Sequence, residues 1–296
     1  MSTFYNEKRS NIIKTWAYLT LMSLFVVGVG WVISYNTGSY IFLWFALLLS
    51  IFSSFYSYFY SDKLVLKMSK ARKVKKEEAP EFYRIVENLT ISQGMPMPQL
   101  FILEESQPNA FATGRNPENS VIAVTRGLLE MMDKTELEAV LAHELSHIKN
   151  RDVLLSTVVV VLAATVAFLS RIFLRSTFLG GRDRKKGGAL MLIIALLVAI
   201  LSPIVATVIQ LAISRKREYL ADSSAALMTR HPQALSEALQ KIKNYPQGME
   251  AASDATAHLY IMNPFREDEG QKWIHKLFST HPPLEERIAK ISEIDV

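Results

Sequence analysis

The chain has 296 residues, 50% of them apolar, with 33 basic against 28 acidic side chains, a net charge of +5 and no cysteine. The apolar content excludes a disordered or collagen-like chain. The missing thiols exclude disulfides, a thiolate nucleophile and any cysteine-ligated metal, leaving His, Asp and Glu to hold an ion.

Residues 15–61, 153–170 and 187–214 contain no Asp, Glu, Lys or Arg, and apolar runs of this kind read as membrane spans rather than as parts of a purely soluble protein. The first window breaks at Asn36-Thr37-Gly38-Ser39 into Thr15–Tyr35 and Tyr40–Tyr60. Each half is long enough to carry a helix across a hydrocarbon core of roughly 30 Å. Trp16, Trp31, Tyr35, Tyr40, Tyr56, Tyr58 and Tyr60 lie near the ends, where aromatic rings settle at a membrane interface. No small-residue cleavage site follows the first stretch, so it reads as a retained anchor. Basic residues precede this hairpin (Lys8, Arg9, Lys14) and follow it (Lys63, Lys67, Lys70, Arg72, Lys73, Lys75, Lys76), while its loop has none. The positive-inside bias therefore puts both ends in the cytoplasm. The same clustering suits anionic lipid headgroups and argues against a nucleic-acid partner.

Residues 1–62 are thus a transmembrane hairpin, and 63–152 begin a cytoplasmic domain. Pro80 and the stripe Phe82, Ile85, Val86, Leu89 predict a helix over Glu81–Ser92. Leu100–Leu103, Ala110–Thr113 and Val121–Val124 are short β-type runs, punctuated by Pro108-Asn109, Gly114 and Asn116-Pro117. They predict a small antiparallel meander. A helix starts near Thr135, with Thr135 and Glu138 as capping box and Leu137, Val140, Leu141, Leu145 and Ile148 as its stripe. Residues 153–214 form a second apolar hairpin, whose loop is basic (Arg171, Arg175, Arg182, Arg184, Lys185, Lys186). A basic outer loop opposes the positive-inside rule, and Pro203 interrupts the last window. The hairpin either spans, giving four crossings, or packs into protein, leaving two. Residues 215–296 read as soluble helices completing the domain.

The helix from Thr135 contains His143-Glu144-Leu145-Ser146-His147. Spacing of i and i+4 sets both imidazoles on one face, where their nitrogens can converge on one ion. Glu144, beside the first His, is placed to act as general base on a water rather than as a ligand. A solvated polar helix face offers the same pattern without chemistry, so the third ligand matters. Position 153 is Val153, which excludes the metzincin spacing. No Asp, Glu or His lies between Val153 and Arg182, and Asp183 falls in the basic loop. The next acids are Glu218 and Asp222, again at i and i+4; one can bind the metal while the other accepts a hydrogen bond from a ligand His. Two crossings would return both to the side that holds His147.

Several segments together resemble the HtpX-type membrane zinc metalloproteases, relatives of the CAAX-prenyl proteases. These are E-A-P at 78–80, P-N-A-F-A-T-G-R-N-P at 108–117, V-T-R-G-L-L at 124–129, A-H-E-L-S-H-I-K-N-R-D at 142–152, E-Y-L-A-D at 218–222 and S-T-H-P-P-L-E-E-R-I at 279–288. The resemblance covers nearly all of the chain after the first span. It implies one Zn2+ per chain on His143, His147 and Glu218, with Glu144 as catalytic base and Asp222 supporting a ligand. It also implies a bacterial inner-membrane protein that degrades damaged or misassembled membrane proteins and unfolded polypeptides in a stress response. The fold class is then a mainly α membrane protein, with transmembrane helices and a cytoplasmic zincin-like α+β metalloprotease domain carrying a small antiparallel sheet.

Asn109, Ala110, Phe111, Ala112 and Thr113 resemble the family's substrate-side strand; an exposed edge could pair with an extended peptide, although an ordinary core strand has the same pattern. His281, ahead of Pro282 and Pro283, is a candidate donor to the oxyanion, or a structural His at a helix entry. His231, His258 and His275 lack partner spacing and read as structural or surface. A catalytically silent membrane scaffold that keeps a zinc site is the alternative function. A transporter would need ionisable residues inside its spans, and these have none. Nothing in the sequence sets an oligomeric state.

Overall fold

The computed structural model describes residues 2–161, 215–249, 252, 256–265 and 282–294. The second apolar hairpin beyond Val161, its basic loop, His275 and His281 lie outside these residues. Among them, helix α1 covers Ser2–Thr37 and α2 Ile41–Met68, joined where Gly38 takes the left-handed φ of +69°.

Both helices are long and apolar enough to cross a membrane. Their large side chains point outward: Trp16, Leu21, Leu24, Trp31, Trp44, Phe45, Leu48, Ile51 and Phe52 are exposed. Small residues fill the inside, with Ala46, Ser50, Ser57 and Ser61 buried on α2 and Ser23 bonded to Ser54 at 2.8 Å. A methyl group added at Gly30 would lie 2.2 Å from the Ala46 Cβ, so only glycine permits this approach. Greasy outside and small inside inverts a water-soluble pair and matches helices packed in lipid.

Past α2 come β1 (Arg72–Lys73), α3 (Pro80–Gln93), β2 (Gln99–Leu103), β3 (Ala110–Asn116), β4 (Asn119–Thr125), α4 (Arg126–Met131) and α5 (Lys134–Asn150). The sheet order is β1-β2-β4-β3. β2, β3 and β4 stand where the sequence predicts strands and β1 is additional, but the meander does not form. β4 pairs antiparallel with β3 and parallel with β2, so the sheet is mixed rather than antiparallel. Val121, Ile122, Ala123 and Val124 are all buried, which gives β4 the centre, while Gly114, Arg115 and Asn116 suit β3 to the edge.

Both faces of this sheet are covered. Leu100, Ile102, Ala110, Ala112, Ile122 and Val124 face α3 and α5; Leu103, Phe111, Val121 and Ala123 face Val65 and Leu66 at the end of α2. Double coverage explains why the strands read as continuous apolar runs instead of alternating.

Helix α5 is capped two residues earlier than Thr135 and Glu138 suggest. The Asp133 carboxylate accepts from the Thr135 and Glu136 amides at 2.8 and 2.9 Å, and Glu136 accepts from the Asp133 amide at 2.8 Å. Asp133–Glu136 is thus the capping box, with the stronger N-cap residue. Leu137, Val140, Leu141, Leu145 and Ile148 are buried, each contributing about 1.5–3 kcal/mol against exposure. This fixes α5 under the sheet and turns its other face toward the helix Arg215–Thr229.

Arg151 closes α5 in the left-handed conformation, φ +57°, and α6 (Asp152–Val161) starts at once. Leu155, Val158, Val159 and Val160 are fully buried. Leu154 and Val158 pack on Leu19 of α1, and Val160 packs beneath the sheet. The described start of the 153–170 window therefore lies within protein. The remaining elements are α7 (Arg215–Thr229), α8 (Pro232–Lys243), a 3-10 turn (Ala257–Leu259) and α9 (Leu284–Ser292).

Candidate metal centre

Helix α5 presents His143, Glu144 and His147, and α7 presents Glu218 and Asp222 on one face. All but His147 are nearly inaccessible; its side chain is 16% exposed. The His143 and His147 Nε2 atoms stand 3.1 Å apart. Each lies 3.8 Å from a Glu218 carboxylate oxygen, and the three donor atoms fall within 4.8 Å of one another. Two of the expected roles on α7 are thereby separated: Glu218 faces both Nε2 atoms, whereas Asp222 meets His143 from behind, Oδ1 2.9 Å from Nδ1.

The residues fit a cation. The His147 Nδ1 lies 3.0 Å from the Asp152 carboxylate, so both rings have a carboxylate behind Nδ1. That arrangement puts a proton on Nδ1 and leaves each Nε2 a lone pair aimed at the shared point. For a tetrahedral ion with metal–nitrogen bonds of 2.0–2.1 Å, the nitrogens would be roughly 3.3–3.4 Å apart, close to the distance seen. Electrostatics agree. Burial would lower the His147 pKa, but the carboxylates of Asp152, Glu218 and Glu144 outweigh it and hold the ring at about 10. Carboxylates that retain a proton this firmly would also attract a divalent ion, which would displace it. Burial lowers His143, with the Arg287 and His147 charges, despite its hydrogen bond to Asp222.

Four contributors had no role in the sequence reading. Asp152 reaches His147 only because the left-handed Arg151 folds the chain back. Arg287, with no exposed surface, donates from Nε and Nη2 to the two Asp222 oxygens at 2.9 and 2.6 Å and from Nη1 to the Ile261 carbonyl at 3.2 Å. Burial raises the Asp222 pKa, yet Arg287 and His143 overcome this and hold it at about 2. His258 is buried, not at the surface, with its Nε2 3.2 Å from the Ser156 carbonyl. It lines the same small cavity as Glu144, His147, Glu218 and Arg217. One signal for Arg287 was present: it occupies the stripe of Leu284, Ile288 and Ile291, where an apolar residue belongs.

β3 is an edge strand beside the centre; Asn109–Thr113 are buried, and part of that edge is occupied. Asn109 is buried and its side chain holds both the amide and the carbonyl of Met262, while the Ile261 amide donates to the Ala110 carbonyl. The Ala112 amide donates to Glu144. The stretch left for another strand starts at the Ala112 carbonyl.

Burial raises the Glu144 carboxyl from 4.5 to about 7, with Glu218 adding to the shift against the His147 charge. Because the folded chain holds this proton more tightly than the unfolded one, metal-free stability should fall as pH rises from 4.5 to 7 and level off above. Glu144→Gln removes the effect. Its stability advantage over the wild type, read from metal-free thermal unfolding, should be absent below pH 4.5 and reach on the order of 3 kcal/mol above pH 7. A constant difference across that window would contradict the buried-acid assignment.

Residues 76–295 match the model of peptidase family M48. Similar proteins include the protease HtpX homologs of Dictyoglomus turgidum and Tropheryma whipplei, each 42% identical over 98% of this chain, covering 94% and 98% of those proteins. The homolog from Pyrococcus furiosus is 44% identical over 95% of both chains. Among solved structures, S. mikatae Ste24p matches with a TM-score of 0.50 at 17% identity, over 98% of this chain and 67% of that one. This last likeness is one of fold.

Proposed function

The chain belongs to peptidase family M48 and is a metallopeptidase with two membrane-capable helices; from that premise we propose that it is a zinc endopeptidase of the bacterial inner membrane. Its active site faces the cytoplasm, and its substrates are damaged or misassembled membrane proteins and unfolded polypeptides. The observation that carries the reading is the pair of Nε2 atoms 3.1 Å apart, each backed by a carboxylate at Nδ1 and faced by Glu218.

His143, His147 and Glu218 would hold the ion. Zinc bound there would supply Lewis acidity, acidifying a water and polarising the scissile carbonyl. Glu144 takes the water's proton and returns it to the leaving amine. The Ala112 amide orients that carboxylate, and burial keeps its proton affinity near neutrality, where a group can both accept and release a proton. An extended peptide would pair with β3 from the Ala112 carbonyl onward, through backbone groups and hence with little selectivity for side chains. Asp222 and Asp152 hold the imidazoles in register, and His281 is the candidate donor to the oxyanion.

The test is metal content together with casein cleavage by the full chain in detergent, with and without a chelator. About one zinc per chain, cleavage lost on chelation and cleavage recovered on zinc addition are expected. Undiminished cleavage by the metal-free protein would overturn the mechanism, and a zinc-loaded protein that cuts nothing would point to the scaffold.

A further inference from the structure

Arg217 stands one residue before Glu218 on α7, is 6% exposed, and neither Nη atom has a hydrogen-bond partner among the described residues. Its neighbours Arg215 and Lys216 are exposed and able to meet lipid headgroups. Arg217 instead lines a cavity of about 40 Å³ together with Ala112, Glu144, His147, Asp152, Glu218 and His258. Such a volume holds a water or two, which hydrate a guanidinium but do not neutralise it.

A buried cation without a counter-charge is costly, and proteins rarely retain one. None of the acids around this cavity forms an ion pair with Arg217 among the described residues: Asp152 turns Oδ2 to His147 and leaves Oδ1 buried without a hydrogen bond, Glu144 accepts from the Ala112 amide, and Glu218 faces the two Nε2 atoms. The enclosed position of the Nη atoms also turns them away from a lipid phosphate. With no counter-charge paired to Arg217 among the described residues, an anion that enters the cavity with the substrate would supply one. A planar fork of N–H donors is matched best by a carboxylate, which can accept two of them at once.

The geometry points to Arg217 as a carboxylate-binding residue of the peptidase site. It pairs with a carboxylate that the bound peptide carries within a residue or two of the bond cut, supplied by an Asp or Glu side chain or by the free C-terminus. The assignment rests on the peptidase reading of the cavity. It adds selectivity for charge to a site whose β-edge would otherwise grip any extended backbone.

The experiment uses the zinc-loaded full chain in detergent and quenched fluorescent peptides of one sequence in four forms, Glu or Gln beside the scissile bond and free acid or amide at a nearby C-terminus. The wild type should cleave one carboxylate form with a kcat/KM roughly 10- to 100-fold above its neutral counterpart, the worth of a hydrogen-bonded charge. Which pair shows the gap identifies the source. Arg217→Gln should bring that ratio close to one, and Arg217→Lys should restore part of it. The same order should appear in dissociation constants measured by anisotropy on the non-cleaving Glu144→Gln protein, with and without Arg217→Gln. Equal kcat/KM for all four peptides in the wild type would overturn the assignment while leaving the peptidase reading intact. An inert wild type that still binds the carboxylate form through Arg217 would do the reverse.

Discussion

Glu144→Gln is expected to leave a folded, zinc-loaded protein that cleaves peptides about 10⁴-fold more slowly than the wild type. The magnitude is the upper end of what a positioned general acid–base contributes, because the same carboxylate is assigned both proton transfers. Metal retention follows from where Glu144 sits. It accepts from the Ala112 amide, and the donor set of His143, His147 and Glu218 does not include it. Glutamine keeps an oxygen for that amide and the same shape, so packing is preserved. Since the buried acid is costly to ionise, the variant should be the more stable protein in the metal-free state above pH 7. A loss of function coupled to a gain in stability is the signature of a site built for chemistry. Turnover numbers, zinc content and circular dichroism measured on one preparation separate the outcomes. Cleavage within ten-fold of wild type would remove Glu144 as the base, and zinc lost along with activity would make it a ligand.

What could be read from the sequence was what is local. The absence of charge over residues 15–61 sets a hairpin without reference to any other segment, and i, i+4 spacing puts His143 beside His147 on any helix. Glu218 was reachable because so few acids lie between it and the motif, with the resemblance dividing its role from that of Asp222. Contacts that depend on the path of the chain were out of reach. The parallel pairing of β2 with β4 joins segments separated by the whole of β3, and no periodicity announces it. Asp152 lies inside the recognised motif, yet its contact with His147 hangs on a non-glycine residue in the left-handed region. Arg217 and His258 look like an ordinary juxtamembrane cation and a stray imidazole until α7 and the 3-10 turn close over the cavity.

Arg287 shows how far such long-range support reaches, and Arg287→Met is expected to produce the largest loss of stability of any single change near the centre. One guanidinium ties α9 to Asp222 on α7 and to the Ile261 carbonyl, and the Ile261 amide in turn bonds the Ala110 carbonyl of β3. Arg287 also approaches Glu218 to 3.8 Å. The intact pair with Asp222 need not be worth much against an apolar replacement, since burying both charges offsets most of their attraction. Removing only the cation is different: it strands the Asp222 carboxylate in the interior at roughly 3–5 kcal/mol, a fall of roughly 10 °C in Tm. The stranded carboxylate would also take up a proton well above its present value of about 2 and cease to be a charged acceptor for the His143 Nδ1. Zinc affinity should therefore weaken by about 10- to 100-fold, the usual effect of losing the group behind a ligand. Arg287→Lys should recover little, because an ammonium cannot reach both carboxylate oxygens and the carbonyl together. Adding Asp222→Asn to Arg287→Met removes the stranded charge, so the double variant should lose less stability than the two single changes summed, while zinc affinity stays low. That split between recovered Tm and unrecovered affinity distinguishes positioning of His143 from simple packing. An Arg287→Met protein with wild-type Tm and zinc affinity would show that the Asp222 carboxylate orients His143 unaided.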